Sequence, residues 1–387
     1  MKILLAATSL LPEYGGPAYS VSGLAVALAD SGAEVGLWAS DRSAETSKLL
    51  SSTSGVRRIT GTVSEALDRF GEVDILHDNG VWLLHNHRLA VIAGRRSIPR
   101  LVSTRGMLEP WAIRHKRLKK KLAWRLYQER DLKQARCLVA SNDSEARNLQ
   151  KFGLDVHIAI IPNGVDVPYQ LPDKVASVTK DGDERKKIAL FLGRIYPIKG
   201  LPMLIQAWAR TRPKGWVLRI AGPDEAGHQR QVERAVSDAG LRDVVSFTGP
   251  VEAETRKSVF LDADLFVLPS HSESFGMVVA EALAHGLPTL TTTATPWSIL
   301  RDKSCGWWVN PTVEGIAEGL YEATRLDTPA LRAMGARGRT LIGEEFSWRH
   351  IADRMLSTYD DVLSRSARVE KRSMHASGLV PSDKTPK

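Results

Sequence analysis

The sequence predicts an α/β protein made of two Rossmann-like, doubly wound domains that face a central cleft. Three observations lead to this fold class. Short apolar segments rich in Val, Ile and Leu alternate with longer helical segments. The alternation breaks at a polar and charged stretch, residues 168–187, and then starts again. The 387 residues are enough for two domains of ordinary size.

The first domain is predicted over residues 1–166. It opens with a strand, Lys2–Thr8, then a loop, a helix from Tyr19 to Asp30, and a second strand, Glu34–Ala39. This order is typical of the start of a doubly wound sheet. Further strands are predicted at residues 74–77, 100–104 and 136–140.

The loop after the first strand contains a glycine pair, Gly15-Gly16. It lacks the spacing of a dinucleotide-binding fingerprint. A glycine pair before a helix lets a ligand approach the backbone closely. A simple tight turn is the alternative explanation of the pair.

The second domain is predicted over residues 188–345, after a linker at residues 167–187. Its strands are expected at 188–194, 216–223, 244–249 and 264–269, with helices at 201–209 and 229–239. A helix at residues 346–363 has one apolar face and can pack back on the N-terminal domain. The Ser/Lys/Pro-rich tail, residues 364–387, is expected to be disordered.

Composition excludes several classes of protein. Hydrophobic residues make up 43% of the chain, and the mean hydropathy is slightly negative, which is typical of a soluble globular protein. No apolar run approaches membrane-spanning length. The first eight residues resemble a short signal-peptide core, but Pro12 and Glu13 follow without a cleavage pattern, so we expect a buried strand. Cys137 and Cys305 lack metal-binding spacing and suit a reducing compartment.

The net charge of +9 is concentrated in one segment. From Arg114 to Arg136 there are ten Lys/Arg and two acids, interleaved with Trp124, Leu126 and Tyr127 and preceded by Trp111. Three interpretations compete: an anionic membrane surface, a solvated helix face and nucleic-acid binding. No nucleic-acid fold signature accompanies the segment, so we expect no nucleic-acid partner.

The stretch from residue 264 to residue 288 carries the densest chemical signal. An apolar strand leads into a polar loop with Glu273, then a Phe275-Gly276 turn and a helix that starts at Met277. The carboxyl ends of parallel strands form the ligand crevice of such sheets. N–H groups at the helix start would face an anion, and Glu281 lies on the same helix.

Other predicted strand ends add residues to the expected crevices. Arg194 and Lys199 follow the first strand of the second domain and suit a grip on two phosphate groups. Gly222-Pro223 follows the next strand. In the first domain, His77 and Arg105 lie at strand ends and are possible cleft residues; a surface position explains Arg105 equally well.

Four motifs together resemble the family-4 retaining glycosyltransferases, which have the GT-B fold. They are Ile161-Pro162-Asn163-Gly164-Val165-Asp166, Phe191-Leu192-Gly193-Arg194 with Lys199-Gly200, Ile220-Ala221-Gly222-Pro223, and Glu273-x7-Glu281. The resemblance covers the chain to about Leu363. It implies that Arg194 and Lys199 hold the donor diphosphate and Glu281 the ribose, with Glu273 at the donor sugar. The implied donor-binding residues are Gly15, Gly16, Gly222, Pro223, Ser274, Phe275, Gly276, Met277, Val278 and Glu281.

One position departs from the family pattern. Many members have His-x-His after the fourth strand, whereas this chain has His77-Asp78-Asn79. Asn79 is therefore assigned the place of the second histidine, in a catalytic set with Glu273, Arg194 and Lys199. His85 or His87 is the alternative.

The resemblance implies a retaining, metal-independent hexosyltransferase. The co-substrate would be a GDP- or UDP-linked sugar, with no other cofactor, and the acceptor a saccharide or lipid-linked saccharide. The expected pathway is lipopolysaccharide or exopolysaccharide biosynthesis, with the protein cytoplasmic and peripheral at the inner face of the membrane. A nucleotide-sugar epimerase of the same fold and a non-catalytic nucleotide-sugar-binding protein are the alternatives.

Overall fold

The computed structural model describes residues 1–51, 53–171 and 185–376, and the chain divides into two compact units. Unit 1 comprises Met1–Gly164 together with the chain from Trp348 onward, and unit 2 comprises Val165–Ser347. The sequence placed these boundaries at residues 166 and 345. Most of the expected linker, residues 172–184, lies outside the described residues.

The described part of unit 1 contains a seven-stranded parallel sheet in the order β3-β2-β1-β4-β5-β6-β7. The strands are β1 (Lys2–Ala7), β2 (Glu34–Ala39), β3 (Arg57–Ile59), β4 (Ile75–Asn79), β5 (Arg100–Ser103), β6 (Cys137–Ala140) and β7 (Ile158–Ile160). The helices are α1 (Gly16–Asp30), α2 (Val63–Phe70), α3 (Leu84–Arg95), α4 (Pro110–Arg114), α5 (Arg117–Ala123), α6 (Glu129–Lys133) and α7 (Asp143–Gln150), with a π-helical turn at Trp124–Gln128.

The described part of unit 2 contains a six-stranded parallel sheet in the order β10-β9-β8-β11-β12-β13. The strands are β8 (Lys187–Leu192), β9 (Trp216–Ala221), β10 (Val245–Gly249), β11 (Leu265–Leu268), β12 (Thr289–Thr292) and β13 (Gly306–Val309). The helices are α8 (Leu201–Thr211), α9 (Gln229–Asp238), α10 (Ala253–Asp262), α11 (Met277–Ala284), α12 (Ile299–Asp302), α13 (Val313–Thr324) and α14 (Thr328–Leu341).

Each unit has its own hydrophobic core. In unit 2 the apolar residues of β8, β9 and β11 are almost completely buried against the surrounding helices. In unit 1 the apolar faces of β1 and β4 are covered in the same way. The two parallel sheets with helical connections confirm the predicted α/β class. The prediction succeeded because strands that are covered on both faces are built from runs of apolar residues.

The last helix, α15 (Trp348–Ala376), belongs to unit 1 and corrects one expectation. Its apolar residues Ile351, Met355 and Tyr359 are buried in the unit 1 core. The sequence predicted that the helix ends at 363 and that disorder follows. That was wrong for residues 364–376, where Arg, Glu, Lys and Ala are good helix formers and continue the helix. Residues 377–387 of the expected tail lie outside the described residues.

Two smaller differences have local causes. Helix α1 begins at Gly16, three residues before the expected start, because Pro17 suits the first turn of a helix. Strand β3 was not predicted, since it has only three residues and two of them are exposed arginines. Within the described residues, no helix is both long and apolar enough to cross a membrane.

Candidate functional site

The switch point of the unit 2 sheet is the first candidate for a ligand site. There β8 and β11 are neighbours, while the chain continues from β8 to β9 on one side and from β11 to β12 on the other. Loops that diverge from two adjacent strand ends leave a crevice between them. The loops are residues 193–200 after β8 and residues 269–276 after β11.

The structure joins these two loops through a lysine–glutamate pair. Lys199 Nζ lies 2.5 Å from Glu273 Oε1, and the Ser270 hydroxyl donates to the same oxygen at 2.8 Å. The side chains of Lys199 and Glu273 are only 15% and 12% exposed, so the two charges neutralise each other away from bulk water. The sequence assigned these residues to the diphosphate and to the sugar, and the structure places them in direct contact.

Gly200 permits the close approach of the two loops. Its φ of +70° lies in the left-handed region, where residues with a Cβ are disfavoured. A Cβ at this position would lie 2.1 Å from the carbonyl oxygen of Pro269. A backbone hydrogen bond of 2.8 Å from His271 N to Ile198 O closes the same junction.

Arg194 has a different partner. Its guanidinium lies 2.5 Å from Glu225 Oε2, in the loop after β9, and its side chain is 57% exposed. Backbone hydrogen bonds between Ile195 and Pro223 and between Glu225 and Ile195 hold these loops together. The structure therefore pairs the two predicted phosphate-binding cations with carboxylates on different loops.

Gly222 and Pro223 form the start of the loop after β9. The Gly222 N–H donates to Gly249 O at 2.7 Å, and the Pro223 carbonyl accepts the Ile195 N–H at 2.8 Å. A Cβ on Gly222 would lie 1.9 Å from Gly193 O. These contacts pack the loops after β8, β9 and β10 against one another.

The Phe275-Gly276 turn is fixed by aromatic packing. Phe275 is buried between Trp297 and Phe346, with ring centroids 5.3 and 6.0 Å away. The indole N–H of Trp297 donates to the carbonyl oxygen of Phe275 at 2.6 Å. Sequence reasoning did not identify Trp297, which lies 22 residues further along the chain.

The N-terminus of α11 follows this turn without a side-chain cap. Gly276 is its N-cap residue, and the half-buried residues Met277 and Val278 begin the helix, with half-buried Ser274 just before the turn. The first N–H groups of a helix have no partner within the helix, and the helix dipole places positive charge there. This end of α11 can therefore bind an anion such as phosphate.

Glu281 lies one helical turn into α11 and is held by Arg256 from α10. Arg256 Nε and Nη2 both donate to Glu281 Oε2, the Nε bond being 3.0 Å long. The described structure contains no bond to Glu281 Oε1, so this oxygen can accept a ligand hydroxyl. Arg256 was also missed from the sequence. Its guanidinium lies over the Phe260 ring, which is stacked on His285.

In unit 1, Asn79 is buried and bound on both sides of its amide. Its Oδ1 accepts a hydrogen bond from Arg105 Nη2 at 2.6 Å, and its Nδ2 donates to Ala6 O and His77 O at 3.2 Å. Arg105 also donates to Asn163 Oδ1 at 2.5 Å. The predicted sugar contact through Asn79 stays a prediction, and in this structure Asn79 positions Arg105.

Arg105 is under backbone and electrostatic strain. It has a φ of +50°, which is rare for a residue with a side chain, and its Nε is buried without a partner among the described residues. Burial lowers its pKa to about 10, which leaves it charged at neutral pH. Such strain persists only where the surrounding structure holds the residue in place, and the cleft role of Arg105 stays a prediction.

His77 is removed from the possible cleft residues. Its side chain is completely buried, with Nδ1 2.6 Å from the Tyr359 hydroxyl and Nε2 2.8 Å from the Ser103 hydroxyl. Burial, with the nearby Arg105 charge, lowers its pKa to about 3, so the ring is neutral. The expectation that it lines a cleft was wrong because its side chain points into the core.

The alternative histidines have separate surroundings. His85 is half-buried, with Nε2 3.3 Å from Thr8 Oγ1, and burial lowers its pKa to about 4. His87 Nδ1 lies 2.8 Å from the buried carboxylate of Asp131, and its ring packs on Tyr127. His85 is thus the one whose ring borders the loop after β1.

Gly15 and Gly16 lie at the end of the β1 loop. Gly15 is the N-cap of α1 and Gly16 is its first residue, again without a side-chain cap. Strands β1 and β4 are neighbours at the switch point of the unit 1 sheet. The predicted place of both glycines near donor phosphates stays a prediction.

Two family models match the chain, one in its N-terminal half and one in its C-terminal half. The model described as "Glycosyltransferase Family 4" matches residues 14–168, and the one described as "Glycosyl transferases group 1" matches residues 177–341. A D-inositol 3-phosphate glycosyltransferase from Geodermatophilus obscurus is 30% identical over 268 residues, which is 66% of this chain and 59% of that protein. The chain thus spans between half and three-fifths of the length of the curated relatives it matches.

Three solved structures share the fold. Sucrose-phosphate synthase from Thermosynechococcus elongatus has a TM-score of 0.74 at 20% identity, covering 94% of this chain and all of that one. Anabaena Alr3699/HepE in complex with UDP-glucose has a TM-score of 0.71 at 19% identity, covering 93% of this chain and all of that one. WaaG, a glycosyltransferase involved in lipopolysaccharide biosynthesis, has a TM-score of 0.63 at 17% identity, covering 94% and 99%.

Proposed function

Because the chain belongs to the family-4 glycosyltransferases of GT-B fold, we propose that it transfers a hexose from a nucleotide diphosphate sugar to a saccharide or lipid-linked acceptor, with retention of configuration. The observation that carries this proposal is the Lys199–Glu273 pair at the unit 2 switch point, next to the uncapped start of α11. A cation, a carboxylate and a helix N-terminus converge there, which suits a sugar attached to phosphate.

In the proposed mechanism, the donor replaces the internal partners of the site. The diphosphate replaces Glu273 as the partner of Lys199 and lies against the first N–H groups of α11. Arg194 separates from Glu225 and binds the diphosphate as well. Glu273, released from Lys199, accepts hydrogen bonds from the sugar hydroxyls. Positive charge placed where the leaving diphosphate gains negative charge lowers the barrier to transfer. These groups supply that charge themselves, which is the basis for proposing metal-independent catalysis.

Glu281 is the proposed ribose-binding residue. Arg256 fixes its carboxylate through Oε2 and leaves Oε1 for the ribose hydroxyls. We propose a UDP- or GDP-linked donor. Uridine is favoured by the UDP-glucose complex of a protein with the same fold, Alr3699/HepE.

For the acceptor we propose a sugar of the lipopolysaccharide or exopolysaccharide pathways, at the cytoplasmic face of the membrane. The printed role of WaaG in lipopolysaccharide biosynthesis supports this pathway. The names of the sequence relatives support a second acceptor, D-inositol 3-phosphate.

The basic segment, residues 114–136, is the proposed membrane-binding surface. Leu118, Leu122 and Leu126 follow one another at four-residue spacing and are 83, 60 and 67% exposed. Exposed lysines and arginines flank them. An apolar stripe beside cationic side chains suits the headgroup region of an anionic bilayer.

The chemical test uses Lys199→Ala and Glu281→Ala, with Lys214→Ala, an exposed lysine outside the site, as the matched control. UDP or GDP should raise the melting temperature of the wild type and the control, and the shift should be small or absent in both site variants. Sugar transfer, measured as nucleotide release with acceptor present, should fall by about 10²-fold or more in Lys199→Ala. Full activity in either site variant would overturn the assignment.

The same assay separates the alternatives. An epimerase would convert the nucleotide sugar without any acceptor and without nucleotide release. A binding protein would give the melting shift with neither product. Acceptor-dependent nucleotide release is the outcome expected of a transferase.

A further inference from the structure

A cavity separate from the unit 2 crevice lies within unit 1, outside the carboxyl ends of β2 and β3. It has a volume of about 770 Å³ and is lined by residues from these strand ends and from α2 and α3. This size is within the range of small-molecule sites. The residues assigned to the donor do not line it.

The inner wall is aromatic and neutral. Trp38 is buried, and its indole N–H donates to Gly61 O at 2.9 Å. The His85 ring lies beside it, with centroids 6.1 Å apart, and its low pKa keeps it uncharged. Ser40 and Thr60 also line the cavity. Aromatic rings with interspersed hydroxyls suit a sugar or polyol ring.

Three arginines give the cavity a positive charge. Arg69 donates to Thr60 Oγ1 at 3.1 Å, and Arg42 contacts Glu45 at 3.1 Å. In the part of the chain that the structure describes, the Arg88 guanidinium has no hydrogen-bonding partner. Glu65 is the one acid among the described lining residues, and its carboxylate is already bound to the Thr62 N–H. Because Arg42 is already paired with Glu45, Arg88 is the cation left without a partner among the described lining residues, and it favours an anionic ligand.

We propose that this cavity binds the acceptor, and that the acceptor is a sugar or polyol bearing a phosphate or carboxylate group. The ring would lie against Trp38 and His85, and the anionic group would bind Arg88 with Arg42. This inference rests on the proposed function, since it identifies the cavity with the acceptor site of that reaction. It adds a selection rule: neutral acceptors of the same size bind more weakly.

The test measures binding of glucose 6-phosphate, glucuronate and glucose to the full chain by calorimetry. We expect at least one of the two anionic sugars to bind about tenfold more tightly than glucose, since hydrogen bonds to charged groups are the strong ones. Arg88→Gln should remove that preference. The matched control is Arg95→Gln, an exposed residue on α3 that does not line the cavity. It should bind as the wild type does.

The two anionic probes distinguish a phosphate site from a carboxylate site. Equal affinity for all three sugars, or an equal loss in Arg95→Gln, would overturn the proposal. UDP binding is measured in the same samples. If the wild type shows no anion preference but still binds UDP, the proposal for this cavity fails and the proposed function stands. If the wild type does not bind UDP, the proposed function fails.

Discussion

At the scale of single residues, the buried His77 should make stability depend on pH. Its pKa falls from the ordinary value near 6.5 to about 3 in the folded chain. Between these two pH values the histidine is protonated in the unfolded chain and neutral in the folded chain. Stability is therefore complete above about pH 6.5 and falls as the pH drops toward 3. At pH 4.5, two units below the unfolded pKa, we expect a loss of about 2.7 kcal/mol from this group alone.

Hydrogen exchange of the β4 amides, corrected for intrinsic rates, measures this loss. His77→Gln should be less stable than the wild type at pH 7 but should lose less stability between pH 7 and 4.5. Burial also raises the pKa of the neighbouring Asp78, which acts in the opposite direction in both proteins, so the difference isolates His77. His271→Gln, at an exposed position, is the control. If stability falls equally with pH in the wild type and in His77→Gln, His77 is not the cause of the pH dependence.

Residue types and spacing predicted which loops matter but not how their side chains are paired. Glu281 was assigned from its place on a helix after a Phe-Gly turn, yet its partner Arg256 lies 25 residues earlier. Asn79 was assigned by alignment with a family histidine, but its contacts with Arg105 depend on how β4 and the loop after β5 pack. Such pairings depend on distances between strand ends, and these distances cannot be read from the residue pattern of a single sequence.

At the scale of secondary structure, the basic segment shows which features of a helix the sequence pattern predicts and which it does not. The sequence indicated a cationic stretch with interleaved aromatic residues. In the structure Trp124 packs against Trp82 and Phe152, and the Tyr127 hydroxyl donates to Trp82 O, so these two rings point inward. The exposed apolar groups are the three leucines and Trp111. The number of charged residues could be counted from the sequence, but the helix face that is exposed could not be predicted from it.

This stripe predicts binding to anionic vesicles. Replacement of Leu118, Leu122 and Leu126 by Gln should lower the fraction of protein that pellets with phosphatidylglycerol vesicles several-fold, because it removes the apolar part of the surface. Replacement of Lys119, Lys121 and Arg125 by Gln should weaken binding and reduce its dependence on salt. Leu84→Gln, an exposed leucine on α3, is the control. Failure of the wild type to pellet would end the membrane proposal.

At the scale of the whole molecule, the sequence predicted two α/β units because repeated apolar segments report burial directly. The polar stretch after residue 166 marked the boundary near its observed place, Gly164 and Val165. The return of α15 to unit 1 was a possibility that the apolar face of this helix suggested. Its length was underestimated, since a polar continuation of a helix and a disordered tail have similar compositions.

The separate cores of the units lead to the last prediction, for the effect of nucleotide on stability. A ligand that binds only the folded form stabilises it by about 2.7 kcal/mol at a concentration of 100 Kd. If the donor site lies in unit 2 as proposed, the slowest amides of β8 and β11 should exchange about a hundredfold more slowly with UDP or GDP present. The amides of β1 and β4 should change by less than tenfold, because unit 1 has its own core. Lys199→Ala supplies the control, since we expect it to keep the fold and to lose the proposed phosphate contact. Equal slowing in both units, or slowing that persists in Lys199→Ala, would show that the nucleotide binds elsewhere.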